Sequence, residues 1–260
     1  VGEAWPLAIA KTESKVLKKG TGEKVDKNAT LKVNYVGVNG RTGKEFDSSY
    51  KRGTTADFPL AQVVPGFAKG LVGKHQGDRV LIMMPGSDGY DSQGGAPQAG
   101  IMKGDSLIFV VDIVAIPLPK ATGETVKPAA GLPTVKEVQG APAVTIGKAT
   151  KPNKLVVQPL IKGKGAAVTA HDSIDVKYRT YAWSSGELIE DGYSGEPVTG
   201  SMNSVIPGWK KGLIGQTVGS RVMLIVPPAD AYPNGSTNPP VKKGETLIYV
   251  IDILSAQKES

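Results

Sequence analysis

The chain has 260 residues with 40% hydrophobic and 21% charged side chains, a formal net charge of +7 and no cysteine. That length accommodates two domains of roughly 100–120 residues, each able to bury a core, while the missing cysteine excludes disulfides, thiol nucleophiles and cysteine-ligated zinc. The positive charge is mostly lysine scattered singly or in pairs, with only five arginines, which reads as a solvated surface and not as the clustered arginine and aromatics of a nucleic-acid site.

Residues 1–14 carry little periodicity and read as an N-terminal arm. From Val16 the signals are those of an antiparallel β domain. Leu31, Val33 and Tyr35 alternate, which predicts a strand with one buried face, followed by a turn at Asn39–Gly40. Val64, Phe67, Ala68, Leu71 and Val72 fall at the spacing of one helical face, with Pro65 placed to start a helix and Gly73 to end it. Arg79–Met84 and Leu107–Ile113 are near-continuous apolar runs, as expected of central strands packed against another element. One short helix against such a sheet makes an α+β roll over residues 15–118. Residues 119–150 are rich in Pro, Ala, Gly and Lys and read as an interdomain linker, part of it extended, with the piece around Val144–Ile146 as an edge strand of a second domain. That domain occupies 151–260, its last strand ending near Leu254 before a short polar tail. No apolar run approaches the ~18–20 residues of a membrane-spanning helix.

The second domain repeats the first. VVPGFAKGLVG (63–73) returns as VIPGWKKGLIG (205–215), LKVNY (31–35) as IDVKY (174–178), GDRVLIMMP (77–85) as GSRVMLIVP (219–227), and KGDSLIFVVDI (103–113) as KGETLIYVIDI (243–253). The offset drifts only from 143 to 140 residues. Two copies at so long a period are a domain duplication, whereas solenoid repeats are shorter and more numerous.

Familiar catalytic signatures are absent. His75 and His171 are the only histidines, neither stands at a metal-ligand spacing, and both read as surface residues. GTGEKV (20–25) and GKGAAV (163–168) lack the third glycine of a dinucleotide loop, and their matching places before strands make them turns. Asn28 and Asn234 open glycosylation sequons, which matter only in a eukaryotic secretory route. What stands out is a set of aromatics, Tyr35, Phe46, Phe58, Phe67, Tyr90 and Phe109, with Asp47 beside Phe46. Each alone reads as core packing, but Tyr90 lies in the polar loop GSDGYDSQGG, where no core residue is needed.

Taken in order, NYVGVNGRTGKEFDSS (34–49), VVPGFAKGL (63–71), the Pro85-to-Tyr90 loop and LIFVVDI (107–113) resemble the FKBP family of peptidyl-prolyl cis–trans isomerases. The resemblance covers both copies over nearly their full length. It implies an α+β fold in which each tandem domain wraps a five- to six-stranded antiparallel sheet around one short helix, with a shallow apolar pocket between them. In the first copy it makes Phe67 the pocket floor, Tyr35, Phe46 and Phe109 its walls, and Val63 and Val64 its rim. Asp47 becomes the carboxylate at its edge and Tyr90 the loop hydroxyl that hydrogen-bonds a ligand carbonyl. Phe58 aligns beside the pocket, and Ala56 stands where an aromatic wall is expected. The second copy has Tyr178, Val205, Ile206, Trp209, Tyr232 and Tyr249, but Ile189 and Glu190 where the family has a Phe–Asp pair, with Asp191 adjacent as a substitute.

The resemblance further implies isomerisation of proline-containing polypeptides in assistance of folding, mainly by the first copy, with no cofactor or metal and no nucleic-acid partner. A non-catalytic proline-peptide-binding chaperone or scaffold is the alternative. Macrolides of the tacrolimus and rapamycin type are ligands of the family. Tandem copies, a lysine-rich surface and a start at Val1 without methionine are similar to a processed bacterial protein, so the expected setting is extracytoplasmic, secreted or anchored at the cell surface.

Overall fold

A computed structural model of the chain describes residues 5–258 and divides into two compact units, the first ending at Pro117 and the second beginning at Leu118. Of the expected N-terminal arm, residues 1–4 lie outside the described residues. The rest is tied to the first unit. Leu7 N–H donates to the Gly40 carbonyl (2.7 Å), Ile9 N–H to Ser106 Oγ (2.9 Å) and Thr12 Oγ1 to Asp88 Oδ2 (2.5 Å).

The arm leads into β1 (Glu13–Lys18), followed by β2 (Thr30–Asn39), β3 (Glu45–Ser48), a single helical turn α1 (Ser49–Arg52), β4 (Ala56–Pro59), α2 (Pro65–Leu71) and β5 (Arg79–Met84). A two-residue ladder, β6 (Gly95–Ala96) and β7 (Ile101–Met102), precedes β8 (Leu107–Ala115). The main sheet is antiparallel in the order β1-β5-β8-β2-β3, and β4 also pairs with β2. Period-two alternation places Leu31, Val33 and Tyr35 in the core with Phe67 and Leu71 of α2. The helix lies close on β5 because Gly70 faces it; a Cβ there would stand 2.8 Å from Ile82 Cδ1. Val72, expected on the buried face, is exposed instead. The helix stops at Leu71, and the chain turns through Gly73 at φ +81°. The glycine-rich stretches before β2 and its later counterpart are close backbone crossings: a Cβ on Gly20 would lie 2.2 Å from the Gln76 carbonyl, and one on Gly163 2.1 Å from that of Val218.

The second unit contains β9 (Glu124–Thr125), β10 (Thr134–Val138), β11 (Ala141–Thr145), β12 (Val156–Lys162), β13 (Asp172–Ala182), β14 (Leu188–Asp191), β15 (Val198–Ser201), α3 (Pro207–Leu213), β16 (Arg221–Val226) and β17 (Leu247–Lys258). Its antiparallel sheet runs β14-β13-β17-β16-β12-β9, with β15 on β13. The fold class is therefore α+β in both units.

The linker expected over 119–150 is corrected here, because most of it is folded onto the second unit. Leu118 N–H donates to the Leu254 carbonyl (2.8 Å), and β9 extends the sheet beside β12. The residues around Val144 do not form an edge strand; β10 and β11 pair only with each other. Their hairpin covers the outer face of the sheet, with Val135 and Val144 against Met223, Ile225, Ile248 and Val250. That cover explains a difference between the copies. Successive residues of β16 are all buried, whereas in β5 buried residues alternate with exposed Arg79 and half-buried Leu81 and Met83. The hairpin also brings Glu137 to 3.3 Å from Arg221, whose guanidinium pairs with buried Asp252 (2.6 and 2.9 Å). The polar tail expected after Leu254 is likewise strand as far as Lys258, with Ser255 and Ala256 buried; residues 259–260 lie outside the described residues.

Candidate functional site

In the first unit the expected aromatics converge. Phe67, on the sheet-facing side of α2, has its ring centroid 4.6 Å from that of Phe109 on β8 and 4.7 Å from that of Phe58 on β4. Tyr35 on β2 lies 5.2 Å from Phe58 and 6.3 Å from Phe109, and Phe46 on β3 meets Phe109 edge-on at 5.6 Å. Val63, Val64, Ala56 and Tyr90 are half-buried and pack against this group. Phe58, expected only beside the pocket, is an integral part of the ring cluster. These tilted and edge-to-face contacts are the geometries that aromatic quadrupoles favour, so the rings form one packed apolar cluster.

Its polar edge is a three-residue network. Tyr35 OH donates to Asp47 Oδ2, Arg52 Nη1 donates to Asp47 Oδ1, and Arg52 Nη2 donates to the Tyr35 oxygen at 3.1 Å. The Arg52 guanidinium also lies 5.6 Å from the Tyr35 ring centroid. Burial works to raise the pKa of Asp47, but hydrogen bonds from Tyr35 and Arg52 and the charge of Arg52 outweigh it, so the carboxyl is held below its ordinary value. Burial, followed by the hydrogen bond to Asp47, pushes the Tyr35 phenol up. Tyr90 is pushed up by burial and then by the charge of Asp47, and among the described residues its hydroxyl has no hydrogen-bond partner. The phenol is therefore neutral near pH 7. Arg52 is a site residue that the sequence motifs do not single out; its one signal is a rare arginine five residues after Asp47.

The second unit assembles its counterparts differently. Trp209 on α3 meets Tyr178 of β13 at 5.1 Å and Tyr249 of β17 at 5.5 Å, both edge-on. Val205, Ile206, Ile189 and Tyr232 pack beside them. The floor is larger, but a wall is gone: Leu31 opposes Phe58 across β2 and β4, whereas the equivalent Ile174 opposes Gly200 across β13 and β15. Glu190 takes the place of Asp47, accepting from Tyr178 OH (3.3 Å) and Thr180 Oγ1 (2.9 Å). Asp191, a substitute only if the loop shifts by one residue, pairs instead with Arg179 at 2.8 Å. Burial, then the charge of Glu190, pushes the Tyr178 phenol up to about 12. The Trp209 indole N–H is buried without a partner among the described residues.

Elsewhere the reading is structural. His75 and His171 are exposed, and no group of three or more His, Cys, Asp or Glu placed to hold a metal occurs among the described residues. No helix among them is long and apolar enough to cross a membrane.

Two aromatic clusters, each between an antiparallel sheet and a short helix, define a duplicated α+β domain. The family model for FKBP-type peptidyl-prolyl cis-trans isomerases matches residues 21–114 and again 164–254. The chain belongs to that family and carries its domain twice. It is 39% identical over 99 residues to an FK506-binding protein of Streptomyces anulatus, a match covering 37% of this chain and 79% of that one. It is 36% identical over 137 residues to the FKBP-type peptidyl-prolyl cis-trans isomerase FkpA of Aeromonas hydrophila, covering 48% of this chain and 49% of the relative. The crystal structure of FkpA from Escherichia coli superimposes with a TM-score of 0.38 at 30% identity, over 41% of this chain and 49% of that one.

Proposed function

We propose that the chain is a peptidyl-prolyl cis–trans isomerase in which the first pocket carries most of the turnover and the second binds proline segments with weaker catalysis. Residues Tyr35, Phe46, Asp47, Val63, Val64, Phe67, Tyr90 and Phe109 form the working site in this reading, with Phe58 and Arg52 added from the geometry. The observation that carries it is the pairing of a closed aromatic cluster with a fully hydrogen-bonded Asp47 and an unengaged Tyr90 hydroxyl.

The chemistry asks little more. An amide resists twisting by ~18–20 kcal/mol because the twisted state loses resonance, and uncatalysed X–Pro bonds exchange over roughly tens to hundreds of seconds. The twisted amide is less dipolar than the planar one, so transfer from water to an aromatic surface disfavours the ground state more than the transition state. Phe67, Phe58 and Phe109 would hold the pyrrolidine ring while the acyl side rotates. Tyr90 would donate to a substrate carbonyl. Asp47 would act by orienting Tyr35 and fixing the local field, because an acid paired with Arg52 is a poor base near neutrality. A 10⁴-fold acceleration corresponds to about 5.5 kcal/mol, within the range a preorganised, partly dry pocket supplies.

Partners in this reading are proline-containing polypeptides during folding, with tacrolimus- and rapamycin-type macrolides as competitors for the first pocket. The setting is extracytoplasmic, supported by the likeness to the FkpA proteins and testable by cell fractionation. A protease-free isomerisation assay on the full chain tests the function itself: acceleration is expected. Binding of a proline peptide without acceleration would instead favour the chaperone or scaffold reading.

A further inference from the structure

The two pockets differ most at the carboxylate edge, and the first unit displays what fits there in the second. Arg52 rises from α1, lies over the Tyr35 ring and pairs with Asp47. Its counterpart by the repeat is Gly195, in the stretch GYSGEP (192–197), and no helical turn comes after β14. Among the described residues, Glu190 therefore receives side-chain hydrogen bonds from two neutral hydroxyls alone, those of Tyr178 and Thr180. It forms no ion pair among the described residues. Arg179, on the same strand as Tyr178 and Thr180, pairs with Asp191. The rings of Tyr178, Trp209 and Tyr249 are packed together at this edge. The Glu190 charge bears on the phenols of Tyr178, Tyr232 and Tyr249.

We propose that the second pocket selects proline-containing segments with a lysine or arginine next to the proline, the ligand's cation docking against Glu190 and Tyr178 as Arg52 docks against Asp47 and Tyr35. The inference rests on reading both concavities as proline-peptide sites. A cation is attracted both by an uncompensated carboxylate and by the negative faces of aromatic rings. In the first unit Arg52 already satisfies both and repels a second cation, so that pocket has no such preference.

The test uses the ¹⁵N-labelled full chain and three blocked tetrapeptides, Ala-Lys-Pro-Phe, Ala-Leu-Pro-Phe and Ala-Glu-Pro-Phe. The indole N–H of Trp209, assigned by its loss in Trp209→Phe, reports the second pocket, and the amide of Phe67 reports the first. At Trp209 the lysine peptide is expected to bind about tenfold tighter than the leucine peptide, with the glutamate peptide weakest. Glu190→Gln should bring the three within twofold, and added salt should narrow the gap. If all three bind at Trp209 within twofold of one another in the parent chain, the cation preference is overturned while the proline reading stands. If they perturb Phe67 but never Trp209, the second concavity is not a proline site and both fall.

Discussion

Arg52→Gln tests the polar edge of the first pocket, because it removes the guanidinium that holds Asp47 and leaves the aromatic cluster intact. Asp47 sits where burial raises its pKa, and the opposing pull comes from Tyr35, Arg52 and the Ser48 amide. Without Arg52 the carboxyl titrates higher and loses one of two side-chain anchors. The effect on stability is small: the two side chains are 47% and 37% exposed, so the pair falls within the ~0.2–1 kcal/mol of exposed ion pairs. The effect on turnover is larger. A charge-assisted hydrogen bond contributes about 1.5–3 kcal/mol, and loosening it lowers kcat/KM by roughly tenfold, at the weak end because of the exposure. The assay is protease-free isomerisation of the full chain between pH 4 and 8. In the parent the Asp47 carboxyl is held below its ordinary value, so its contribution is lost at lower pH than that of a free carboxylate. In the variant it fades at higher pH, so the deficit widens as pH falls. A variant within twofold of the parent at pH 7, with an unchanged pH profile, would refute the role given to this network.

Two further expectations concern the fold. Gly70→Ala should destabilise the first unit by about 1–3 kcal/mol through overpacking, because its Cβ would press on Ile82 at 2.8 Å; this exceeds the ~1 kcal/mol that alanine gains over glycine in a helix, and a thermal melt that rises would contradict it. Asp105 is held at about 2, chiefly by its hydrogen bond from Arg41 with help from Asn39 and the Met102 amide against burial. A depressed folded pKa contributes stability above the unfolded value of 3.8 that is lost as pH falls through about 2. Asp105→Asn should therefore lower stability at pH 7 and flatten its dependence between pH 4 and 2, which urea titrations across that range would show.

The elements that local pattern determines are legible from the sequence alone: β2 from the alternation of Leu31, Val33 and Tyr35, and α2 from its apolar spacing between Pro65 and Gly73. The convergence of Tyr35, Phe46, Phe67 and Phe109 comes from a family resemblance, since nothing in their spacing alone brings four separate elements together. The hairpin over 134–145 is hidden because its composition is that of a linker; only Val135 and Val144 mark it, and their partners on β16 and β17 lie far along the chain. Arg52 escapes because its role depends on α1, a single turn that aims it back at Tyr35. The lost wall at Gly200 follows from the repeat, which aligns it with Phe58, and the strand register agrees: Ile174 opposes Gly200 as Leu31 opposes Phe58.

The most direct test of the central claim, that turnover resides in the first pocket, compares kcat/KM of the full chain carrying Asp47→Ala with that carrying Glu190→Ala, at matched folded fraction. The account predicts a loss of about tenfold or more for Asp47→Ala and a change within twofold for Glu190→Ala on a leucine–proline substrate. The reverse pattern, or equal losses, would contradict it.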